Sequence, residues 1–340
     1  MAANKTNPPK AETAKKYRLQ YGAEMPTLKL ARIMYNENPL LFTDVEDARS
    51  RLRYIEGKHG AAAKQRMDKK NYSETRITEA RPYNPYNLPS SDETKYEPFL
   101  IKGHKRVGIL SDIHVPYHSI DALTCAIEYL KKRKIDALLL NGDTIDCYQL
   151  SRFARDPKAR NFKLELDTFK ALFDVFEKEF KCKIYFKIGN HEERYEKFLC
   201  EKAGELKGIE EFEFENIIKA RARGIEIIGD KRVMKLNTLN GIHGHEYIGG
   251  IAAPVNIARG LYLKGKVSAF QGHNHAVSSH TETDMNGKVV TTWSIGCLSE
   301  LHPMYMPLNK WAHGFAEVDL HENGQDFEFV NHTIYKNKVY

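Results

Sequence analysis

Hydrophobic positions along this 340-residue chain change their period near residue 100. Before that point apolar residues recur at helical spacing. Thr27 precedes Leu28, Leu30, Ala31, Ile33 and Met34, a run that stops near Asn38-Pro39. Val45, Ala48, Leu52 and Ile55 make a second stripe, ended by Gly57. That second helix opens on Thr43-Asp44-Val45-Glu46, which reads as a capping box satisfying backbone donors of the first turn. Residues 81–98, RPYNPYNLPSSDETKYEP, hold four prolines and no period, so they predict a linker. Its Tyr83, Tyr86 and Tyr96 suggest a segment lying against a surface.

Beyond the linker the apolar runs become short and continuous. Val107–Leu110, Ala137–Leu140 and, in weaker form, Cys182–Phe186 alternate with helical stretches at Ile120–Lys132 and Leu164–Phe180. That alternation predicts βαβ units with strands buried between helices. From residue 225 the strands come faster: Ile225–Ile228, Val233–Leu236, Leu239–Ile242, Val267–Phe270, Val289–Trp293, Phe315–Leu320 and Phe327–Ile334. They predict a second, largely antiparallel sheet, and with it a layered sandwich with helices outside.

Each apolar run ends in residues able to hold a metal. Ser111-Asp112-Ile113-His114 follows the first, Asn141-Gly142-Asp143-Thr144-Ile145-Asp146 the second, and Gly189-Asn190-His191-Glu192 the third. Gly241-Ile242-His243-Gly244-His245 and Gly272-His273-Asn274-His275 follow two later strands. In an α/β sheet the carboxyl ends of strands open on one crevice, so five separate segments can deliver ligands to one place. The glycines suit abrupt turns off a strand, where positive φ is often needed. Any one of these motifs is weak, and a lone histidine is more often a surface or core residue than a ligand. Their conjunction in one order, with six of the fourteen histidines inside, is what carries weight.

Charge and cysteine usage add two points. Residues 1–80 hold 16 Lys and Arg against 10 Asp and Glu, so six of the seven net positive charges lie there. Two helices joined by NPLLF, the second bearing Arg49, Arg51 and Arg53, resemble a helix-turn-helix and raise contact with a polyanion such as nucleic acid. A helical accessory that packs or oligomerises is the plainer alternative. The five cysteines, Cys125, Cys147, Cys182, Cys200 and Cys297, are widely spaced without a CxxC pair, the pattern of reduced thiols in a cytoplasmic protein. The polar N-terminus has no signal-peptide core, and no apolar run is long enough for a membrane span.

The ordered blocks DxH, GDxxD, GNH[DE], H and GHxH resemble the calcineurin-like metallophosphoesterase family over residues 107 to about 320, with SDIHVPYH and GNHEERYE closest in look to bacterial and phage members. The fold implied is a four-layer αββα sandwich, here with a small N-terminal helical unit. The resemblance implies that Asp112, His114 and His275 hold one ion, Asn190, His243 and His273 a second, and that Asp143 bridges them. His245 is an alternative to His243, since side chains two residues apart on a strand point the same way. Carboxylate, amide and imidazole donors suit transition metals, Mn²⁺ first, with Fe, Zn²⁺ or Ni²⁺ as alternatives. Such a pair of ions polarises the phosphoryl oxygens and activates a bridging water. The resemblance further implies His191 as proton donor, with Asp146 orienting its imidazole. The plainer reading of Asp146 is a turn or helix cap. Arg194, with Asn190, is a candidate contact to the substrate phosphate, the alternative for Arg194 being an ion pair with a neighbouring Glu. Tyr117, His118, Tyr305 and Trp311 are candidate cleft residues.

The substrate class expected is a phosphodiester of nucleic acid or nucleotides. A phosphomonoesterase or protein phosphatase is the alternative, and so is a binding protein on an inactive phosphoesterase fold. The phosphoprotein phosphatase branch carries arginines where this chain has Cys147 and Ile188. Only 51 residues separate His191 from His243, little room for a large specificity insertion.

Overall fold

The computed structural model describes residues 8–22, 25–57, 86, 88–89, 96–151, 161–251 and 255–340. It divides into two compact units, Met1–Thr94 and Lys95–Tyr340. The first contains three helices among its described residues: α1 (Pro8–Tyr21), α2 (Thr27–Glu37) and α3 (Val45–Ile55). The sequence pattern predicts only the last two. Helix α1 escapes it because its sequence, PPKAETAKKYRLQY, is mostly polar and buries little beyond Ala14, Tyr17 and the stem of Arg18. Those residues meet Leu30, Ala31 and Met34 of α2, Phe42, and Ala48 and Leu52 of α3. The cap of α3 also sits one residue later than predicted. Asp44, not Thr43, is the cap residue, accepting from the Asp47 N–H at 2.7 Å, while Asp47 accepts from the Thr43 N–H at 3.2 Å. Gly57, at φ 69°, stops the helix as expected. Tyr83 falls outside the described residues and Tyr86 is exposed. Tyr96 does lie on a surface, donating to the Lys231 carbonyl at 3.0 Å and accepting from the Val233 N–H at 2.8 Å.

The second unit is built on two sheets. The seven-stranded sheet runs β13-β12-β11-β2-β3-β4-β5, with β13 at Lys338–Val339, and the six-stranded sheet runs β1 (Phe99–Ile101), β6 (Met234–Leu236), β7, β8, β10 (Val289–Ser294) and β9 (Ser278–Thr283). Strands β2 (Arg106–Leu110), β3 (Ala137–Asn141), β4 (Lys183–Lys187) and β5 (Glu226–Ile228) are parallel neighbours. Their continuous apolar runs are explained by the alternation of faces. Val107, Ile109, Ala137, Leu139 and Tyr185 point to the second sheet, meeting Met234, Leu236, Leu239 and Phe270. Leu110, Leu138, Leu140, Ile184 and Phe186 point to α4 (Ile120–Arg133) and α5 (Phe162–Phe180), whose Phe169, Phe173 and Phe176 complete that core. Gly108 lets α4 come close, since a Cβ there would stand 2.9 Å from Leu130.

Two expectations about the second sheet are corrected. Strands β5, β11 (His313–Leu320) and β12 (Phe327–Tyr335) belong to the first sheet. The second sheet is mixed, with β1–β6, β7–β8 and β8–β10 parallel and β6–β7 and β9–β10 antiparallel. The reason is a helix the strand spacing does not reveal. Helix α8 (Ile257–Gly265) crosses over between β7 (Leu239–Gly241) and β8 (Ala269–Gln271), which makes them parallel. Helix α8 packs Leu261 on Ile242, Ile251 and Ala269, forming the outer layer. The unit is therefore an αββα sandwich. Two shorter helices, α6 (Glu193–Lys202) and α7 (Phe214–Ile217), follow β4.

Arg18 is 2% exposed and pairs with Glu56, while its guanidinium also donates to the Met25 carbonyl at 2.6 Å. Removing one partner of a buried pair leaves an uncompensated charge. Arg18→Met is expected to destabilise the α1–α3 core by about 3 kcal/mol or more. Amide exchange in α1–α3 would reveal it, and unchanged protection would remove this pair from the account.

Candidate metal centre

The five motif segments leave their strands at one end of the sandwich. Ser111–His114 follows β2, Asn141–Asp146 follows β3, Gly189–Glu192 follows β4, His243–Glu246 follows β7 and His273–His275 follows β8. Past the strands, pairing continues through Asp112 N–H to Gly142 O at 3.2 Å, His114 N–H to Asp143 O at 2.9 Å and Gly272 N–H to His243 O at 2.8 Å. The turns place the site residues themselves in the left-handed region: Asp112 at φ 55°, His114 at 52°, Asp143 at 49°, His273 at 65° and His275 at 55°. Gly142 and Gly244 also have positive φ, but Gly189 and Gly272 do not. Those two serve close approach instead. A Cβ on Gly189 would lie 2.3 Å from Asp143 Oδ1, and one on Gly272 would lie 2.0 Å from Ser111 Oγ.

The side chains converge in three overlapping groups able to hold a cation: Asp112, His114 and His275; His114, Asp143 and His191; Asp143, His243 and His273. His275 Nε2 lies 3.2 Å from Asp112 Oδ1 and 3.1 Å from His114 Nε2. Asp143 Oδ2 lies 3.2 Å from His243 Nε2, 3.9 Å from His114 Nε2 and 3.8 Å from His191 Nε2. Asn190 Oδ1 stands 3.3 Å from His243 Nε2. This donor set fits divalent transition metals. Imidazole nitrogens and carboxylate oxygens face one another across the cluster, and His273 Nδ1 and His275 Nδ1 are buried without a hydrogen-bond partner.

A family model described as calcineurin-like phosphoesterase matches residues 105–326. The chain belongs to the calcineurin-like phosphoesterase family. One curated relative of this member is the gene 54 protein of Mycobacterium phage L5, 24% identical over 226 residues that cover 62% of this chain and 88% of that protein. Vps29 of Entamoeba histolytica, solved in complex with zinc, is 12% identical over 69% of this chain and 96% of its own, with a TM-score of 0.37. The phosphoesterase YfcE of E. coli is 14% identical over 66% of this chain and 98% of its own, with a TM-score of 0.33. No helix among the described residues is long and apolar enough to cross a membrane.

Within this family member, the structure separates residues that the motifs left equivalent. His243 faces Asp143, whereas His245 Nε2 is bonded to Glu193 Oε1 at 2.9 Å. Asp146 is no simple turn cap. Its Oδ1 stands 3.0 Å from His114 Nδ1 and 2.9 Å from His191 Nδ1, so one carboxylate orients two imidazoles. Arg194 pairs with neither adjacent Glu. Its Nη1 donates to the Asp146 carbonyl at 2.8 Å and its Nη2 lies 3.0 Å from His191 Nε2. Trp311 lies with its ring centroid 4.2 Å from that of His275.

Two carboxylates that the motif reading gave no role, buried Glu192 and partly buried Glu246, hold the motif loops by their backbone. Glu192 accepts from the N–H groups of Asp143 at 3.0 Å, Thr144 at 2.7 Å, Ile145 at 3.2 Å and Gly189 at 2.9 Å. Glu246 accepts from the N–H groups of His243 at 2.8 Å and Gly244 at 2.7 Å. Behind Glu246 stands Lys187, fully buried, its Nζ 3.2 Å from Glu246 and 2.8 Å from the Arg232 carbonyl. The sequence signal was available: a lysine closing an apolar strand and followed by Ile188, once buried, needs an acid beside it.

The electrostatics are those of a cation trap. Burial disfavours the charged form of every group here, yet the neighbours prevail at several. Against burial, His275 holds the Asp112 carboxyl down at about 2, and Asp143 lifts His243 to about 10. His275 is likewise lifted to about 10 by Asp112. Burial, followed by the charge of His243, pushes His273 down to about 4. Burial and Asp143 push Glu192 up to about 7. The carboxylates of Asp112 and Asp143 thus draw positive charge toward this cluster.

Glu246→Gln keeps the volume but loses one acceptor and the partner of Lys187. One of two metal-binding events, followed by calorimetric titration with Mn²⁺, is expected to weaken about 10- to 100-fold while the other persists. Equal weakening of both would assign Glu246 a general folding role.

Proposed function

We propose that this phosphoesterase hydrolyses phosphate esters at a dinuclear metal centre, with phosphodiesters of nucleic acid or nucleotides as its substrates. The observation that carries this reading is the place of Asp143, whose Oδ2 is shared between the groups around His114 and around His243. Asp112, His114 and His275 would hold one ion and Asn190, His243 and His273 the other, with Asp143 bridging; Mn²⁺ is the leading candidate, followed by Fe, Zn²⁺ and Ni²⁺. When bound, such a pair supplies Lewis-acid polarisation of the phosphoryl oxygens and activation of a water for in-line attack.

The chain's own groups do the rest. His191 gives a proton to the leaving oxygen, and Asp146 fixes its ring through Nδ1. His191 Nε2 meets Arg194, so substrate binding must draw the guanidinium away, onto a nonbridging phosphoryl oxygen, before Nε2 is free to act. Asn190, beside His243, contacts the same phosphate. Residues 99–340 form the catalytic domain, 81–98 the linker, and 1–80 a basic helical unit that adds affinity for a polyanion. In that unit Arg49 and Arg51 already lie 3.2 Å from Glu46 and 3.9 Å from Asp47, which leaves exposed Arg53 as the α3 arginine open to a phosphate. The complete donor set argues for an active enzyme over a binding protein on an inactive fold. Cys147, buried where the protein phosphatase branch has an arginine, argues against a phosphoprotein substrate.

Metal-loaded protein should cleave bis-p-nitrophenyl phosphate, cyclic nucleotides or nucleic acid faster than p-nitrophenyl phosphate, and Asp143→Asn should lose about 100-fold or more. Full activity in Asp143→Asn would end the dinuclear reading. His191→Ala should cost about 10²- to 10⁴-fold on alkoxide leaving groups and much less on p-nitrophenolate, which departs without a proton. Deleting residues 1–80 should weaken DNA binding and flatten its salt dependence. An unchanged slope would assign those residues another task.

A further inference from the structure

The loop between the chain's last motif and β11 displays apolar side chains beside a charged, buried centre. Met304 is 99% exposed, Tyr305 76% and Leu308 94%. This display is fixed. Asn309 Nδ2 donates to the Leu301 carbonyl at 2.6 Å and to the Met306 carbonyl at 2.8 Å, while its Oδ1 accepts from the Trp311 N–H at 2.9 Å. The loop is also tied to the candidate ligands. The Ala312 N–H donates to the His275 carbonyl at 2.8 Å, and Trp311 rests on the His275 ring. The Tyr305 ring stands 6.3 Å from Trp311 at 65°. Trp311 thus links the exposed Tyr305 ring to the His275 side of the site.

A phosphoryl group needs none of this apolar area. Cationic and hydrogen-bonding groups serve it, and they lie deeper. The rim suits whatever is attached to the phosphate, and an open aromatic face against a second aromatic ring favours a flat π-system. We propose that Tyr305, backed by Trp311, forms a stacking subsite for a nucleobase of the substrate, so that base stacking and phosphate capture act together. This rests on the phosphoesterase reading and adds to it a specificity-determining residue.

Equilibrium binding to the Mn²⁺-loaded protein tests it, with adenosine 5′-monophosphate, ribose 5-phosphate and inorganic phosphate as probes. The nucleotide is expected to bind roughly 5- to 100-fold tighter than ribose 5-phosphate. Tyr305→Ala should erase that difference and leave ribose 5-phosphate unchanged, whereas Tyr305→Phe should keep it. Equal affinity for the two ligands in the unaltered protein overturns the subsite. So does a Tyr305→Ala loss shared by both ligands, or self-association that Tyr305→Ala abolishes, which would mark the loop as a protein contact. If none of the three probes binds, the phosphoesterase reading fails and the subsite fails with it.

Discussion

Everything at the metal centre depends on holding left-handed backbone in place at residues that are not glycine. Asp112, His114, Asp143, His273 and His275 all have positive φ, each at a cost on the order of 1 kcal/mol or more. Such conformations persist only when their surroundings over-determine them. Here the fixing agents are backbone N–H bonds: His114 to the Asp143 carbonyl, Asp143 to Glu192, and His273 to the Asp112 carboxylate. The loops are thus tied crosswise, each ligand segment anchored by another. Distortion in one would be felt in its neighbours, which is why Gly189 and Gly272 leave no room for a methyl group.

The same crosswise logic explains the buried acids. Glu192 and Glu246 lie beneath the ligands and spend their oxygens on backbone donors, while Asp146 lies beside them and orients two imidazoles. Each carboxylate adds negative potential to a site that already holds Asp112 and Asp143. A closed anionic cluster of this kind would be unstable without positive partners. His243 beside Asp143, His275 beside Asp112 and Lys187 behind Glu246 bring positive charge into the cluster. Cation binding and folding of the loops are therefore coupled.

How much of this was legible follows from how local each signal is. The strands β2, β3 and β4 could be read because both faces are buried, giving apolar runs with polar or charged residues only at their ends. Residues bracketed by these strands and by Gly or His-Gly turns marked the positions whose side chains the structure brings together. Sheet membership was not legible. Whether Phe315–Leu320 pairs with β2 or with the second sheet is decided by packing far along the chain, and helix α8, which makes β7 and β8 parallel, has too short an apolar stripe to show. Helix α1 was hidden by its lysines. His243 and His245 could not be separated because the deciding partner of His245, Glu193, lies 52 residues earlier.

Chemistry and substrate choice are encoded differently in this chain. The candidate ligands sit on turns at the ends of a double sheet, where fixed geometry leaves a motif. Under the proposed function, recognition would fall to the 301–310 loop and the basic N-terminal residues, which lie outside the motif turns. The loop's apolar exposure costs stability in isolation, since large hydrophobic side chains at 304, 305 and 308 gain nothing from water. That cost is recovered when a flat apolar partner covers them. The binding energy would then come from surface remote from the reacting phosphorus and be available for positioning the ester against His191 and Arg194.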